Sequence, residues 1–536
     1  MRTLDDLGQE HLNTATDDRR RTAGSRAAGI LLHPSCLPGP FGIGDLGPSV
    51  DEFLDWAAAA GQTLWQVLPL GPTGAGSSPY TSSSAFAGNP LLISPERLVE
   101  EGLLNPEALE DAPQFPHGRV DFATVRDWKE RILRLSWERF EHLATPSLRE
   151  DLSAFLHAPE QAAWLADWGR FAALKSYFSG RAWTDWGPDL AFRDPEALSA
   201  ADEALGAEMD YERYVQFLFF RQWERVRRAA SRRGIAVVGD IPIYAAHDSA
   251  DVWANQHLFQ LDGTGRPTAV AGVPPDYFSA TGQLWGNPLY RWDVLEDEGY
   301  AWWIARIRSC LRTCDLLRID HFRAFSAYWS VPATEKTALG GRWVPGPGRA
   351  LFDAARAELG PLPILAEDLG DIDDDVRALL DALGFPGMKI LQFGFYGPDS
   401  DYLPHRYPKN CVVYTGTHDN DTARGWYAAL NTEERERVWD YLGCDGREPE
   451  WALIRAAYAS VAERAIVPMQ DVLGLGSEAR MNTPARPEGN WAWRVPQDAW
   501  RPELAARLAR MAEMSGRCRP AADRPRESGI EPGDSS

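Results

Sequence analysis

The sequence has no run approaching the roughly 18 consecutive apolar residues that a membrane-spanning helix requires. It holds six cysteines in 536 residues, too few for the disulfide framework of a secreted scaffold. Cys310 and Cys314 are spaced to share one helix face, which would make half a zinc site. No second pair or nearby histidine completes four ligands, so core packing is the better reading. The ten histidines show no metal-ligand spacing. Basic residues are outnumbered, with 55 Lys plus Arg against 77 Asp plus Glu and a net charge of −22. That balance repels phosphate backbones and anionic membranes, so neither nucleic acid nor membrane is an expected partner. Arg19, Arg20 and Arg21 are not followed by the roughly 7–15 apolar residues of a secretory core. The short run Ala27–Leu32 stops at His33 and Pro34. A cytoplasmic location is expected.

A nicotinamide site is missing its second half. Gly42-Ile43-Gly44-Asp45-Leu46-Gly47 fits G-x-G-x-x-G letter for letter. A dinucleotide fold needs that motif directly after a strand, with an acid about 20 residues on. Pro38 and Pro40 break the first condition, and residues 60–70 contain no Asp or Glu. The segment reads as a glycine-rich loop, and no cofactor is expected.

What is present is a regular alternation. Residues 1–26 are polar and aperiodic and read as a flexible leader; from 516 to 536 the chain is rich in Arg, Pro, Gly and Ser and reads as a disordered tail. Between them, apolar runs occur at Gly29–Leu32, Thr63–Leu68, Ile235–Val238, Leu316–Ile319, Ile364–Ala366, Met388–Phe393, Val412–Tyr414 and Val472–Leu475. Continuous rather than alternating apolar strands indicate a parallel sheet buried on both faces. The stretch 212–233 has helical spacing and is stopped by Gly234. Eight runs joined by helices give a (β/α)₈ TIM barrel over 27–515; a doubly wound open sheet is the alternative. The gap from about 85 to 205 is too long for one crossover and reads as a mainly helical insertion over the C-terminal face. A second excursion is expected over 244–310.

Four apolar strands end in carboxylates: Val238-Gly239-Asp240, Ile319-Asp320, Ala366-Glu367, and Tyr414 leading to Thr417-His418-Asp419. Any one of these acids could cap the next helix. Four on four strands, at the face where barrel active sites form, point to chemistry. Arg318 and Asp320 are two apart and share a strand face. A guanidinium there favours the charged carboxylate that a nucleophile needs. Glu367 follows only Ile364, Leu365 and Ala366. An apolar setting beside another acid raises a carboxyl pKa, as a general acid requires. Two carboxyls in contrasting environments are the pattern of glycosidic-bond chemistry; a structural Arg–Asp ion pair is the bland reading of the same residues.

The chain carries 22 Trp, 16 Tyr and 21 Phe. Most are core, but Tyr80, Tyr277, Phe278 and Trp285 fall in loops, where aromatic planes can pack on the C–H face of a sugar. The sequence resembles the amylomaltases, bacterial-type 4-α-glucanotransferases related to the α-amylase clan. The stretches that carry the resemblance include Ser78-Pro79-Tyr80, Gly239-Asp240-Ile241-Pro242, Gly272-Val273-Pro274-Pro275-Asp276-Tyr277-Phe278-Ser279, Gly282-Gln283-Leu284-Trp285-Gly286-Asn287-Pro288 and Arg480-Met481-Asn482-Thr483-Pro484, together with the Arg318–Asp320, Glu367 and Thr417–Asp419 motifs.

The resemblance implies Asp320 as nucleophile, Glu367 as acid/base and Asp419 as the acid that grips the sugar hydroxyls. It implies Asp240, Arg318 and His418 around the cleaved sugar, and Tyr80, Gln283, Trp285 and Asn482 as substrate contacts. Residues 270–285 match a loop that partly covers the cleft. Cys36, Ala485, Arg486 and Tyr396 depart from the family pattern and bear on acceptor preference. The expected partners are maltooligosaccharides and α-1,4-glucans, and the expected assembly is a monomer or weak homodimer. A retaining double displacement predicts carboxyls about 5–5.5 Å apart. The competing readings are a plain α-glucan hydrolase, a non-catalytic glucan-binding protein, which should have lost one of the three acids, and a nicotinamide oxidoreductase.

Overall fold

A computed structural model describes residues 26–275, 279–397, 399–486 and 488–518. The expected leader lies outside them except for Arg26, as do Tyr277, Phe278 and the tail beyond Cys518. Among the described residues there are twelve strands, numbered here in chain order. Eight are β1 (Ala27–Leu31), β2 (Leu64–Gln66), β3 (Ala236–Pro242), β6 (Leu316–Asp320), β9 (Ile364–Ala366), β10 (Gly387–Ile390), β11 (Cys411–Tyr414) and β12 (Arg464–Pro468). They pair in parallel in the order β10-β11-β12-β1-β2-β3-β6-β9. The Ala366 amide donates to the Pro386 carbonyl (3.0 Å), which brings β9 against β10 and closes a (β/α)₈ barrel. Consecutive residues such as Val237-Val238 and Val412-Val413 are fully buried. Their side chains point alternately into the barrel and toward the helices, so both faces are covered.

Seven of the eight apolar runs contain barrel strands. The exception is Val472–Leu475, whose first residues belong to the short helix Met469–Leu473. The eighth strand is β12, which starts on Arg464 and ends on Pro468. Only three apolar residues separate that charged start from the proline, and that shortness hides it. Likewise the run Met388–Phe393 is strand only to Ile390 and then turns into a 3₁₀ segment, Leu391–Phe395.

The first insertion is helical: Phe122–Leu143, Pro146–His157 and Leu165–Tyr177, capped at the first two by Asp121 and Thr145. The helix that leads into β3 begins at Pro195 and runs to Arg232, so it straddles the expected boundary near 205. One buried ion pair fastens this insertion to the barrel. Lys129 Nζ donates to Asp45 Oδ2 (2.9 Å) and to the Ile93 carbonyl (2.6 Å), and both side chains are buried. Removing one partner strands a charge away from water. Lys129→Ala is therefore expected to cost about 3–5 kcal/mol, read as a fall in the denaturant midpoint without loss of the barrel's circular dichroism.

The second excursion is not self-contained. Its strands β4 (Ala269–Val273) and β5 (Gln283–Pro288) join β7 (Ala327–Pro332) and β8 (Arg342–Pro345), which follow β6, in an antiparallel sheet of order β5-β4-β7-β8. The helix Ala301–Thr313 packs so close to β3 that a Cβ on Gly239 would lie 2.8 Å from Cys314 Sγ. Cys314 thus fills the seam between helix and strand, and its thiol contacts the Cys310 carbonyl (3.2 Å).

The chain end also differs from expectation. Within 516–518, assigned to the tail, Gly516 is exposed and Cys518 half-buried, but Arg517 is packed. Arg517 is fully buried and donates to the carbonyls of Tyr458, Ala27, Glu463 and Ala462. It gathers carbonyls at the N-terminal end of the barrel around one guanidinium, adding to the Ala27 amide that already donates to Glu463 and to the Arg26 side chain that donates to Tyr458. Among the described residues no helix is long and apolar enough to cross a membrane.

Candidate active site

The strand register sets the site. Asp240 on β3 is level with Arg318 on β6, and Pro242 with Asp320. On the other side Ile319 is level with Ala366, so Asp320 and Glu367 are the next rung on neighbouring strands. The ladder continues past the strand ends: the Glu367 amide donates to the Ile319 carbonyl (3.0 Å) and the Phe322 amide to the Glu367 carbonyl (3.0 Å).

Arg318 joins two of the acids. Its Nη1 donates to both oxygens of Asp240 (2.7 Å each) and its Nη2 to Asp320 Oδ1 (2.8 Å). Exposure separates the acids. The Asp240 side chain is fully buried and that of Arg318 is 4% exposed, while Asp320 is 28% and Asp419 45% exposed. Asp240 is therefore sealed behind Arg318 and Tyr80, whose hydroxyl donates to Asp240 Oδ2 (2.7 Å). Burial raises the Asp240 pKa, against the pull of Arg318. Burial also works against the Arg318 charge, but Asp240 and Asp320 outweigh it and hold the guanidinium protonated.

Glu367 is strongly perturbed. Burial, then the charge of Asp320, pushes its carboxyl up to about 8. Arg318 and two backbone amides oppose the rise: His321 donates to Oε2 (2.7 Å) and Leu369 to Oε1 (3.0 Å). The His321 amide can do this because His321 adopts a left-handed conformation, φ +53°, uncommon for a residue with a Cβ. The bend that follows Asp320 thus aims an N–H at the neighbouring acid. The His321 imidazole is held neutral, its pKa lowered to about 4 by burial. It meets the Trp285 ring edge to face at 4.8 Å. Trp285 Nε1 donates to Gln283 Oε1 (3.2 Å), both on β5.

Asp419 and Asn482 come from loops, one after β11 and one after the helix that follows β12. Asn482 Nδ2 donates to Asp419 Oδ1 (2.6 Å), and His418 Nε2 lies 3.4 Å from Asp419 Oδ2. The His418 ring stacks on Tyr80 at 5.0 Å, and both lean on Trp491. Tyr80 links this group to the Asp240–Arg318–Asp320 group. All ten residues singled out in the sequence therefore gather at the C-terminal end of the barrel. Three neighbours carry no role in the sequence reading: His321, Trp491 and Arg480. Trp491 has φ +62°, and no local pattern announces it.

The sequence profile of the 4-alpha-glucanotransferases matches residues 32–498. The chain belongs to the 4-alpha-glucanotransferase family. It is 51% identical to the 4-alpha-glucanotransferase of Thermus thermophilus over 92% of this chain and 99% of that one. Against the Synechocystis 4-alpha-glucanotransferase it is 49% identical, over 92% and 98%. The chloroplastic/amyloplastic 4-alpha-glucanotransferase of Solanum tuberosum is 46% identical, over 93% and 86%. Among solved structures, the amylomaltase of Streptococcus agalactiae in complex with acarbose superposes with a TM-score of 0.89 at 38% identity, covering 92% of this chain and 100% of that one. The reaction of this enzyme is 4-alpha-glucanotransfer.

Proposed function

We propose that the enzyme transfers a segment of an α-1,4-glucan to the 4-hydroxyl of an acceptor glucose or glucan by a retaining double displacement through Asp320. The observation that carries the reading is the pairing of an arginine-bonded, partly exposed Asp320 with a buried, high-pKa Glu367 on the adjacent strand. Glu367 gives its proton to the glycosidic oxygen as the bond from that oxygen to the anomeric carbon breaks. Asp320 bonds to the anomeric carbon, and the protonated sugar departs. An acceptor 4-hydroxyl then gives its proton to Glu367, bonds to the anomeric carbon and displaces Asp320. Two inversions retain the α configuration.

Glu367 must be an acid in the first half and a base in the second. Esterifying Asp320 removes its negative charge, the second cause of the raised Glu367 pKa. The carboxyl then becomes more acidic, as its second task needs. Asp419 holds sugar hydroxyls with Asn482 and His418. Arg318, backed by the buried Asp240, frames the cleaved sugar, and Tyr80, Gln283 and Trp285 contact the substrate. In the same reading the enzyme works without a cofactor, on maltooligosaccharides and α-1,4-glucans, in the cytoplasm, as a monomer or weak homodimer.

Incubation with maltotriose tests the reaction class. A ladder of longer and shorter chains supports transfer; only shorter products would mark a hydrolase. The acid role has a pH consequence. Glu367 is protonated below its pKa of about 8, so kcat/KM for a natural donor should hold up to that pH. It should then fall about tenfold per pH unit above it, because kcat/KM reports the free enzyme. An alkaline limb near 5 instead would remove Glu367 from the acid role.

A further inference from the structure

We propose that Arg480 is a positioning residue that locks Asp419 and Asn482 into one unit; the proposal rests on the reading of Asp419 as the sugar-gripping acid. Asp419 sits in the irregular loop after β11, and Asn482 in an irregular stretch 63 residues further on. Neither is fixed by a helix or strand, and groups carried on loops are held less accurately than groups on regular elements. Arg480 bridges the two stretches. Its Nε donates to the Asn482 carbonyl (2.7 Å) and its Nη2 to the Asp419 carbonyl (2.6 Å). The Asn482 amide closes the unit on the His418 carbonyl (3.0 Å), while Asn482 Nδ2 reaches Asp419 Oδ1 (2.6 Å).

The guanidinium suits this task by its shape. It is planar and presents its donors in a fixed fork, so two bonds on one edge set the distance and the angle between two carbonyls. Among the described residues Arg480 has no carboxylate within ion-pair distance. Its charge is therefore spent on strengthening two backbone contacts. The peptide stretch beyond is also tied back: the Trp491 amide donates to the Met481 carbonyl (2.7 Å) and the Thr483 amide to Asn490 Oδ1 (2.9 Å). The fork thus joins the Asp419 loop to a segment that is already braced. A lysine could reach one carbonyl but could not fix both.

Because displacement of a catalytic group by about 1 Å costs on the order of 10²-fold, R480A should lower kcat for maltotriose disproportionation by roughly 10²-fold with KM changed less than about threefold. R480K should fall between R480A and wild type. A purely structural role would lower the melting midpoint and the active fraction but leave kcat per folded site alone. A double-mutant cycle separates the two. If Arg480 acts through Asp419, adding R480A to D419N should cost less than about threefold more. Either an R480A kcat within about threefold of wild type, or the full loss repeated on top of D419N, would overturn the proposal. If R480A does not fold, an R480K kcat equal to wild type overturns it in the same way. D419N alone distinguishes the failures: a crippled D419N beside an unaffected R480A sinks only the Arg480 inference, whereas an active D419N sinks the reading of Asp419 beneath it.

Discussion

Asp320→Asn is expected to abolish transfer and side hydrolysis together, lowering the turnover of maltotriose by about 10⁴-fold or more, the scale seen when a nucleophile is removed. The substitution is close to silent for the fold. Asn keeps the volume, and its carbonyl oxygen can still accept from Arg318 Nη2, which bonds only Oδ1 of Asp320. Asp240 continues to balance the Arg318 charge through two contacts. The melting midpoint should therefore stay near that of the parent, so the lost rate reports chemistry. An amide cannot form the glycosyl ester, so both reactions, which share that intermediate, should fail in proportion. A variant that keeps more than about a hundredth of the transfer rate would refute the nucleophile assignment. One secondary effect has a definite sign. Removing the Asp320 charge takes away the second cause of the high Glu367 pKa, so the Glu367 pKa should drop.

The parts of this site that can be read from sequence are those whose signal is local. An acid at or just after an apolar run marks the C-terminal part of a strand, which makes Asp240 inside β3, Asp320 at the end of β6 and Glu367 one residue past β9 legible. Arg318 is legible because a spacing of two along a strand is a shared face. The eighth barrel strand escapes because Arg464 and Pro468 bracket only three apolar residues. The small antiparallel sheet escapes because β4 and β5 carry glycines, Gly272 and Gly286, that break the alternation a strand should show. Burial also sorts the acids in a way sequence cannot. Asp240 looks like the other strand-end carboxylates, yet it is sealed behind Arg318 and Tyr80. Arg480 and Trp491 depend on contacts across tens of residues, and no local periodicity encodes those. The Arg480 motif is visible in the resemblance, but its role emerges only when the Asp419 carbonyl, 61 residues away, is seen at its tip.

Glu367→Gln should separate the two halves of the reaction. With a maltooligosaccharide donor the leaving oxygen needs a proton, and the loss should be about 10²–10⁴-fold, the usual worth of a positioned general acid. An α-maltosyl fluoride donor needs no proton to expel fluoride, so attack by Asp320 should return to within about tenfold of the parent rate. The second half still lacks its base, so the glycosyl-enzyme should accumulate. Intact mass would show the added sugar, and peptide mapping should locate it in the segment containing Asp320. Failure of the fluoride donor to restore the first step would sink the acid assignment, and an adduct on another residue would sink the nucleophile. The substitution also carries a stability cost that the acid itself avoids. Glu367 accepts one backbone amide on each oxygen, and a proton on the carboxyl can occupy a remaining lone pair. A glutamine must turn its NH₂ toward one of those amides, donor against donor. Such an unsatisfied buried group costs about 1–3 kcal/mol, so Glu367→Gln should melt measurably below the parent while Asp320→Asn does not. That contrast between two single-atom changes in adjoining carboxyls reports directly on which acid is held by the backbone and which is left free to react.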